Sequence, residues 1–131
     1  MRLEYLVDTD WVIHYLNGQP PIVARLDGLK AAGLALSVIS LAELYEGVYA
    51  STDPEGNERA LRDFLAGVAV LGVDTGICQR FGRERARLWR AGRLIGDFDL
   101  LLACTCLRHD LTLLTGNLRH FETVEGLRIG G

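Results

Sequence analysis

Short apolar runs, separated by longer stretches with a helical repeat of apolar positions, divide the chain into alternating strands and helices. The apolar runs predict strands over residues 3–7, 34–38, 68–71, 111–114 and, as an edge strand, 127–129. Helices are predicted between them over residues 10–16, 20–32, 40–50, 57–66, 75–92 and 99–109. This alternation favours an α/β fold with a central, mainly parallel sheet of four to five strands.

The predicted helix ends coincide with residues that commonly cap helices. Asn17-Gly18 and Gly33 follow the first two helices, as is typical of C-terminal caps. Ser40 lies three residues before Glu43, and the spacing S-x-x-E predicts a capping box at the start of the third helix. We therefore expect Glu43 in the first turn of that helix.

Acidic or amide side chains occur where several of these elements pass into a helix. Asp8 ends the first strand, and Asn117 follows the fourth. Glu43, Asp97 and Asp99 lie at the starts of helices. Because ligands of an open parallel sheet bind beyond the carboxyl ends of its strands, we expect these side chains to meet at one edge.

Each of these residues also has a purely structural interpretation. Asp8 fits a helix cap, although Asp10 is the better candidate, and Asp97 and Asp99 suit a helix N-terminus. Glu43 fits the capping box with Ser40, and Asn117 suits the turn T-G-N-L. A capping role does not exclude a role as a ligand.

Carboxylates in such apolar surroundings are unfavourable unless a cation compensates them. Oxygen ligands of this kind suit Mg²⁺, for which Mn²⁺ can substitute. Divalent ions neutralise the charge that develops during phosphodiester cleavage and activate a water molecule as the nucleophile. The pattern therefore indicates metal-assisted phosphodiester chemistry.

The charge distribution adds a basic helix to the acidic patches. The formal net charge is −3, which argues against a general nucleic-acid coat protein, yet six arginines fall between residues 80 and 93. They form either a solvated helix face or a phosphate-binding stripe, since guanidinium groups match phosphate geometry. Arg80, Arg83 and Arg87 are the candidates for contact with a nucleic acid.

Length and composition limit the class of protein. A chain of 131 residues with 49% hydrophobic content suits one domain, which we expect to span residues 1–131. The sequence has neither a membrane-spanning apolar run nor a signal-peptide layout, so we expect a cytoplasmic protein with no membrane partner. Cys78, Cys104 and Cys106 indicate no disulfide framework or zinc site, and we expect all three to be small buried side chains.

Four segments in order carry a family resemblance. They are YLVDTDWVI, SLAELYEGV, IGDFDLLLA and LTLLTGNLRHF, and together they span nearly the whole chain. With these segments the chain resembles the PIN-domain ribonucleases, specifically the VapC-type toxins of toxin–antitoxin pairs. The resemblance implies a single PIN domain with an α/β/α sandwich fold and endoribonuclease activity that depends on Mg²⁺ or Mn²⁺.

The resemblance also assigns roles by position. It implies that Asp8, Glu43 and Asp99 are catalytic metal ligands, with Asn117 at the fourth position and Asp97 as an accessory ligand. It further implies an RNA substrate, with transfer and ribosomal RNA both open, a cognate antitoxin, and a homodimer.

Other polar residues near these motifs receive lesser roles. The hydroxyl groups of Thr9 and Thr115 are placed to orient ligands or waters. His14, His109 and His120 are interpreted as packing, surface or helix-end residues, because the metal mechanism requires no histidine base.

Two other functions compete with the nuclease. A catalytically silent PIN-fold module that binds RNA or protein is the alternative, since Asn117 is neutral where the family can carry an acid. A phosphate-receiver domain also uses an acidic pocket beyond a parallel sheet, but Lys30, the only lysine, lies far along the chain from every acidic patch.

Overall fold

The computed structural model describes residues 2–130. Its five strands form one sheet in which every neighbouring pair is parallel, in the order β3-β2-β1-β4-β5. The strands are β1 Tyr5–Val7, β2 Leu34–Ser37, β3 Ala69–Leu71, β4 Thr112–Leu114 and β5 Arg128–Gly130. The predicted parallel sheet with the last strand at its edge is therefore confirmed.

Helices connect the strands and cover both faces of the sheet. They are α1 Thr9–Leu16, α2 Pro20–Gly33, α3 Val38–Ala50, α4 Pro54–Leu65, α5 Thr75–Arg90, α6 Asp97–His109 and α7 Leu118–Phe121. Consecutive strand residues point to opposite faces, so Leu6 joins the core beneath α5 and α6 while Val7 joins the core beneath α1 to α4. This two-sided packing confirms the α/β/α sandwich.

The side on which successive strands are added to the sheet reverses at β1. Strands β2 and β3 extend the sheet on one side of β1, whereas β4 and β5 extend it on the other. The carboxyl ends of β1 and β4 are therefore neighbours at a topological switch point, with Val7 in register with Leu114. Helices leaving this edge in different directions open a crevice there.

The start of α3 differs from the prediction. Strand β2 ends at Ser37, whose hydroxyl accepts a hydrogen bond from the Ile39 amide at 3.1 Å, so Ser37 is the N-cap. Ser40 is the third helical residue, fully buried, and among the described residues its hydroxyl has no hydrogen-bond partner. The predicted capping box is wrong, and Glu43 lies in the second turn of α3.

Smaller differences concern three other helices. Helix α4 starts at Pro54 because Asp53 caps it, accepting from the Gly56 amide at 3.1 Å. Helix α6 starts at Asp97, with Gly96 as the N-cap, so neither Asp97 nor Asp99 is the capping residue. The short helix α7 was not predicted, since four residues are too few to show a helical repeat.

Two of the three cysteines are buried as expected. Cys104 and Cys106 lie in the core, and burial raises the pKa of the Cys104 thiol to about 11. Cys78 is exposed on α5, so the expectation of burial was wrong there. No helix within residues 2–130 is long and apolar enough to cross a bilayer.

Candidate functional site

Asp8 lies at the switch point, between the carboxyl ends of β1 and β4. Its amide donates a hydrogen bond to the Leu114 carbonyl at 2.9 Å, which extends the pairing of the two strands. One carboxylate oxygen accepts from the Thr9 amide and the other from the Thr115 hydroxyl, both at 2.7 Å. Asp8 thus caps α1 while it is held from β4 as well.

The Asp8 carboxylate is in an unfavourable environment despite these hydrogen bonds. Only 8% of the residue is exposed, and burial is the main cause that raises its pKa. The charges of Asp10 and Asp99 raise the pKa further, while the hydrogen bonds from Thr115 and Thr9 lower it. A cation beside Asp8 would relieve both the desolvation and the repulsion.

Thr9 connects Asp8 to Glu43. Its amide binds Asp8, and its hydroxyl donates to a Glu43 carboxylate oxygen at 2.8 Å. Helix α3 therefore presents Glu43 to the start of α1 from its second turn. The predicted orienting role of Thr9 has a direct geometric counterpart here.

Thr115 connects Asp8 to Asn117. Its hydroxyl donates to Asp8 and accepts from the Asn117 amide at 3.0 Å. Asn117 is the N-cap residue of α7, but its side chain makes no capping hydrogen bond. The Thr115 hydroxyl thus links the turn after β4 to Asp8 at the end of β1.

Asp99 reaches the same region from the first turn of α6 and contacts a histidine. One of its carboxylate oxygens lies 2.8 Å from Nε2 of His120 in α7. Both side chains are about one-third exposed, at 37% and 33%. His120 also packs edge-on against Phe121, so it has the predicted packing role and a contact with the candidate site in addition.

These side chains line one open cleft of about 370 Å³. Its lining includes Asp8, Thr9, Glu43, Asp99 and Asn117, as the sequence predicted, and also Asp10, Ile13, Glu46 and Gly47. Glu46 was not selected from the sequence, although it lies three residues after Glu43 and so shares its helix face. His120 could have been found by the same spacing from Asn117 only if α7 had been recognised.

Asp97 lies apart from this cleft. It lines an adjoining, more open hollow with Gly96, Phe98, Asp99 and Glu43, and it forms an ion pair with Arg85 of α5. The accessory ligand role assigned by resemblance would require Asp97 to leave that arginine.

The three arginines proposed for RNA contact differ in their surroundings. Arg87 contacts Glu84 at 2.8 Å, the Thr123 carbonyl at 3.0 Å and Glu125 at 3.7 Å, so it ties α5 to the segment after α7. Arg83 is exposed, and Arg80 is half-buried. Among these three side chains, Arg83 is the most accessible to a ligand.

The donor set of the cleft suits a hard divalent cation. Asp8 and Glu43 offer carboxylate oxygens that are bound by hydroxyl and amide donors rather than by arginines, so their charge is not neutralised. Within residues 2–130, however, no three His, Cys, Asp or Glu side chains are placed to hold a metal ion as they stand. The residues therefore fit the ion by their chemistry, although not by their present positions.

Comparison with known proteins decides the family. The PIN domain family profile matches residues 5–127. The chain belongs to the PIN-domain family. Its PIN domain is 34% identical over 126 residues to Ribonuclease VapC2 of Haemophilus influenzae, with 96% of each chain covered. It is 32% identical to the tRNA(fMet)-specific endonuclease VapC of Shigella flexneri, again with 96% of each chain covered.

Solved structures agree with this PIN-domain assignment. VapBC2 from Rickettsia felis, bound to a DNA fragment from the promoter, superposes with a TM-score of 0.90 at 28% identity, covering 98% of each chain. DNA-bound VapBC from Salmonella typhimurium gives a TM-score of 0.90 at 31% identity, covering 98% of this chain and 97% of that one. The expected VapC-type PIN fold is therefore confirmed.

Proposed function

We propose that this PIN domain is a divalent-metal-dependent endoribonuclease and the toxin of a toxin–antitoxin pair. The observation that carries the proposal is the meeting of Asp8, Glu43 and Asp99 in one cleft at the switch point of the sheet. The names of the VapC relatives, which are ribonucleases, support the reaction class.

The proposed cofactor is Mg²⁺, with Mn²⁺ as a substitute. Asp8, Glu43 and Asp99 would hold it, and the Asn117 side-chain oxygen offers a neutral fourth ligand. When bound, such an ion neutralises charge on the scissile phosphate and lowers the pKa of a water nucleophile. Asp97 is an accessory ligand in this scheme, available only when its ion pair with Arg85 opens.

The chain's own residues supply the orientation. Thr115 and Thr9 hold the two oxygens of Asp8 in fixed directions, and Thr9 also fixes Glu43. Asp99 is directed by His120. The amide and hydroxyl groups of Thr9 and Thr115 carry no charge, so they orient Asp8 and Glu43 without neutralising them, as a cation site requires.

The test is cleavage of purified transfer RNA and ribosomal RNA with Mg²⁺, with Mn²⁺ and with EDTA. Asp8→Asn and Asp99→Asn should each lower the rate by more than about a hundredfold, because several kcal/mol of charge stabilisation is lost. Asp63→Asn, an exposed aspartate on α4, is the matched control and should cleave normally. Robust cleavage in EDTA would refute the metal mechanism.

We propose that the antitoxin docks in an apolar groove beside the acidic cleft. The groove has a volume of about 230 Å³ and is lined by Ile13 and Leu16 of α1, Leu44 and Val48 of α3, and Ala60 of α4. Ile13, Glu43 and Gly47 line both the groove and the cleft. A helix with an apolar face and one basic side chain would fill the groove and reach the carboxylates, in competition with metal.

This docking is tested by co-expression with a small protein encoded beside the gene, followed by co-purification. Ala60→Glu should abolish the complex, because it places an unpaired charge in the groove. Ala60→Ser is the conservative control. A complex that survives Ala60→Glu would place the antitoxin elsewhere. The mass of the isolated chain in solution tests the proposed homodimer.

The alternative function is a catalytically silent PIN module in the cytoplasm that binds RNA or protein. The neutral Asn117 favours it, as does the lack, within residues 2–130, of three ligating side chains already placed around a metal position. Calorimetric titration with Mn²⁺ separates the two functions: heat of binding that Asp8→Asn removes supports the nuclease, and no binding at millimolar metal supports the silent module.

A further inference from the structure

We infer that Trp89, Leu94 and Phe98 form a platform on which unpaired RNA bases stack beside the acidic cleft. This stacking platform rests on the proposed function and deepens it, because it specifies single-stranded RNA as the form that enters the site. Stacking on an aromatic ring requires a base whose face is free, which a continuous duplex does not offer.

The three side chains are far more exposed than residues of their type usually are. Trp89 is 71% exposed, Leu94 67% and Phe98 55%. Single exposed apolar residues need no explanation, but three of them within ten positions, from the last turn of α5 to the first turn of α6, are unusual for a surface without a partner.

The platform adjoins the candidate active site. Phe98 lines the hollow that it shares with Glu43 and Asp99. Arg85 of α5 pairs with Asp97, the residue before Phe98, and Trp89 lies one helical turn after Arg85 on the same face. Leu94 lies in the short connection from α5 to α6, between Trp89 and Phe98 in the chain.

The end of α5 holds this surface in place. Gly92 adopts a φ of 68°, its amide donates to the Trp89 carbonyl at 3.1 Å, and the Arg93 amide donates to the Leu88 carbonyl at 2.9 Å. These are the bonds of a Schellman motif, which ends the helix in a defined conformation. A platform ordered in advance loses little entropy when a base binds.

Charge favours nucleic acid over a protein partner. Residues 83–98, which include the whole platform, contain five arginines, one glutamate and one aspartate, a local formal charge of +3 in a chain whose net charge is −3. Arg90 and Arg93 are exposed beside Trp89 and can bind phosphates while the rings bind bases. An apolar subunit interface would not usually be surrounded by so many like charges.

Tryptophan fluorescence provides the assay. The chain has two tryptophans, and Trp11 is only 7% exposed, so most quenching by added RNA should come from Trp89. The probes are a short unstructured RNA, the same length of RNA with abasic sites, and an RNA duplex. Titrations are done in EDTA and, to prevent cleavage in Mg²⁺, on the Asp8→Asn background.

The variants separate stacking from charge. Trp89→Leu should weaken binding of the unstructured RNA by about 5- to 100-fold. Trp89→Phe should retain the affinity, because a phenyl ring can still stack, but it loses the Trp89 fluorescence. Affinities of both variants are therefore measured by the anisotropy of labelled RNA. Abasic RNA should bind the parent and Trp89→Leu equally. Tyr49→Leu is the matched control, since Tyr49 is 62% exposed but packs on Tyr45 and donates to Glu58.

Three results would overturn the platform. They are unchanged affinity in Trp89→Leu, absence of RNA binding by the parent in both conditions, and a change of molecular mass in Trp89→Leu that marks the patch as a subunit interface. Failure of the proposed function is distinguishable, because a protein that binds RNA through Trp89 but cleaves none in any metal retains the platform and loses the nuclease. Conversely, a protein that cleaves RNA but binds it equally well after Trp89→Leu retains the nuclease function and loses the platform.

Discussion

The two serines at the start of α3 should respond oppositely to replacement by alanine. Ser37 is the N-cap, and its hydroxyl accepts from the Ile39 amide at 3.1 Å. Ser37→Ala leaves that amide without its partner and should lower the free energy of unfolding by about 1 kcal/mol, within the usual range for caps.

Ser40 has a hydroxyl that is fully buried and has no hydrogen-bond partner among the described residues. Burying an unsatisfied polar group costs about 1–3 kcal/mol, and alanine is also the better helix former. The void left by one oxygen atom offsets part of this gain. Ser40→Ala should therefore raise the free energy of unfolding by about 1 kcal/mol.

The assay is urea denaturation followed by circular dichroism, with thermal melting as a second measurement. For a chain of this size, 1 kcal/mol corresponds to a change of about 3–5 °C in Tm, so Ser37→Ala and Ser40→Ala should differ by about 6–10 °C. A capping box with Ser40 as the N-cap predicts instead that Ser40→Ala destabilises the fold. Loss of stability in Ser40→Ala equal to that in Ser37→Ala would refute the assignment of the cap.

Three further predictions concern the cleft. Thr115→Val removes a donor to Asp8 and should lower the rate of RNA cleavage by about 10- to 100-fold while Thr115→Ser retains it, which a cleavage assay checks. His120→Gln should retain more activity than His120→Phe, because a glutamine amide can keep a polar contact with Asp99 and a phenyl ring cannot; equal loss in both variants would show that the contact has no role in orientation. Burial raises the pKa of Asp8, so its contribution to stability is fully present below pH 3.8 and is lost as the pH rises through the raised value. Asp8→Asn should therefore have a higher Tm than wild type at pH 7, and this difference should shrink on acidification; a lower Tm at pH 7 would contradict it.

Local pattern was sufficient for most elements because their signals are short-range. The apolar runs around Leu6, Leu36 and Leu113 are short, and short continuous apolar runs between turn residues favour strands that are buried on both faces of a covered parallel sheet. Asp8 and Asp99 were found in the same way, as charged residues next to apolar runs. The parallel order then predicted that they share an edge of the sheet.

Local pattern failed where two serines are candidates for the N-cap of the same helix. Ser37 and Ser40 both precede the apolar face of α3, and the choice of cap depends on where the pairing of β2 with its neighbours stops. Pairing ends at Ser37, so the helix starts one turn earlier than the capping-box motif suggests. Glu43 consequently reaches the cleft from the second turn, through a hydrogen bond from Thr9.

The sequence by itself determined the α/β class, the parallel order of elements and the set of carboxylates, because hydrophobic spacing and residue chemistry are local properties. Only the tertiary structure decided that His120 contacts Asp99 and that Asp97 pairs with Arg85. It also decided that Thr115 joins Asp8 to Asn117. Apart from the local hydrogen bond between Thr115 and Asn117, these contacts join residues 12 to 107 positions apart in the chain, and no local signal specifies a partner at that distance.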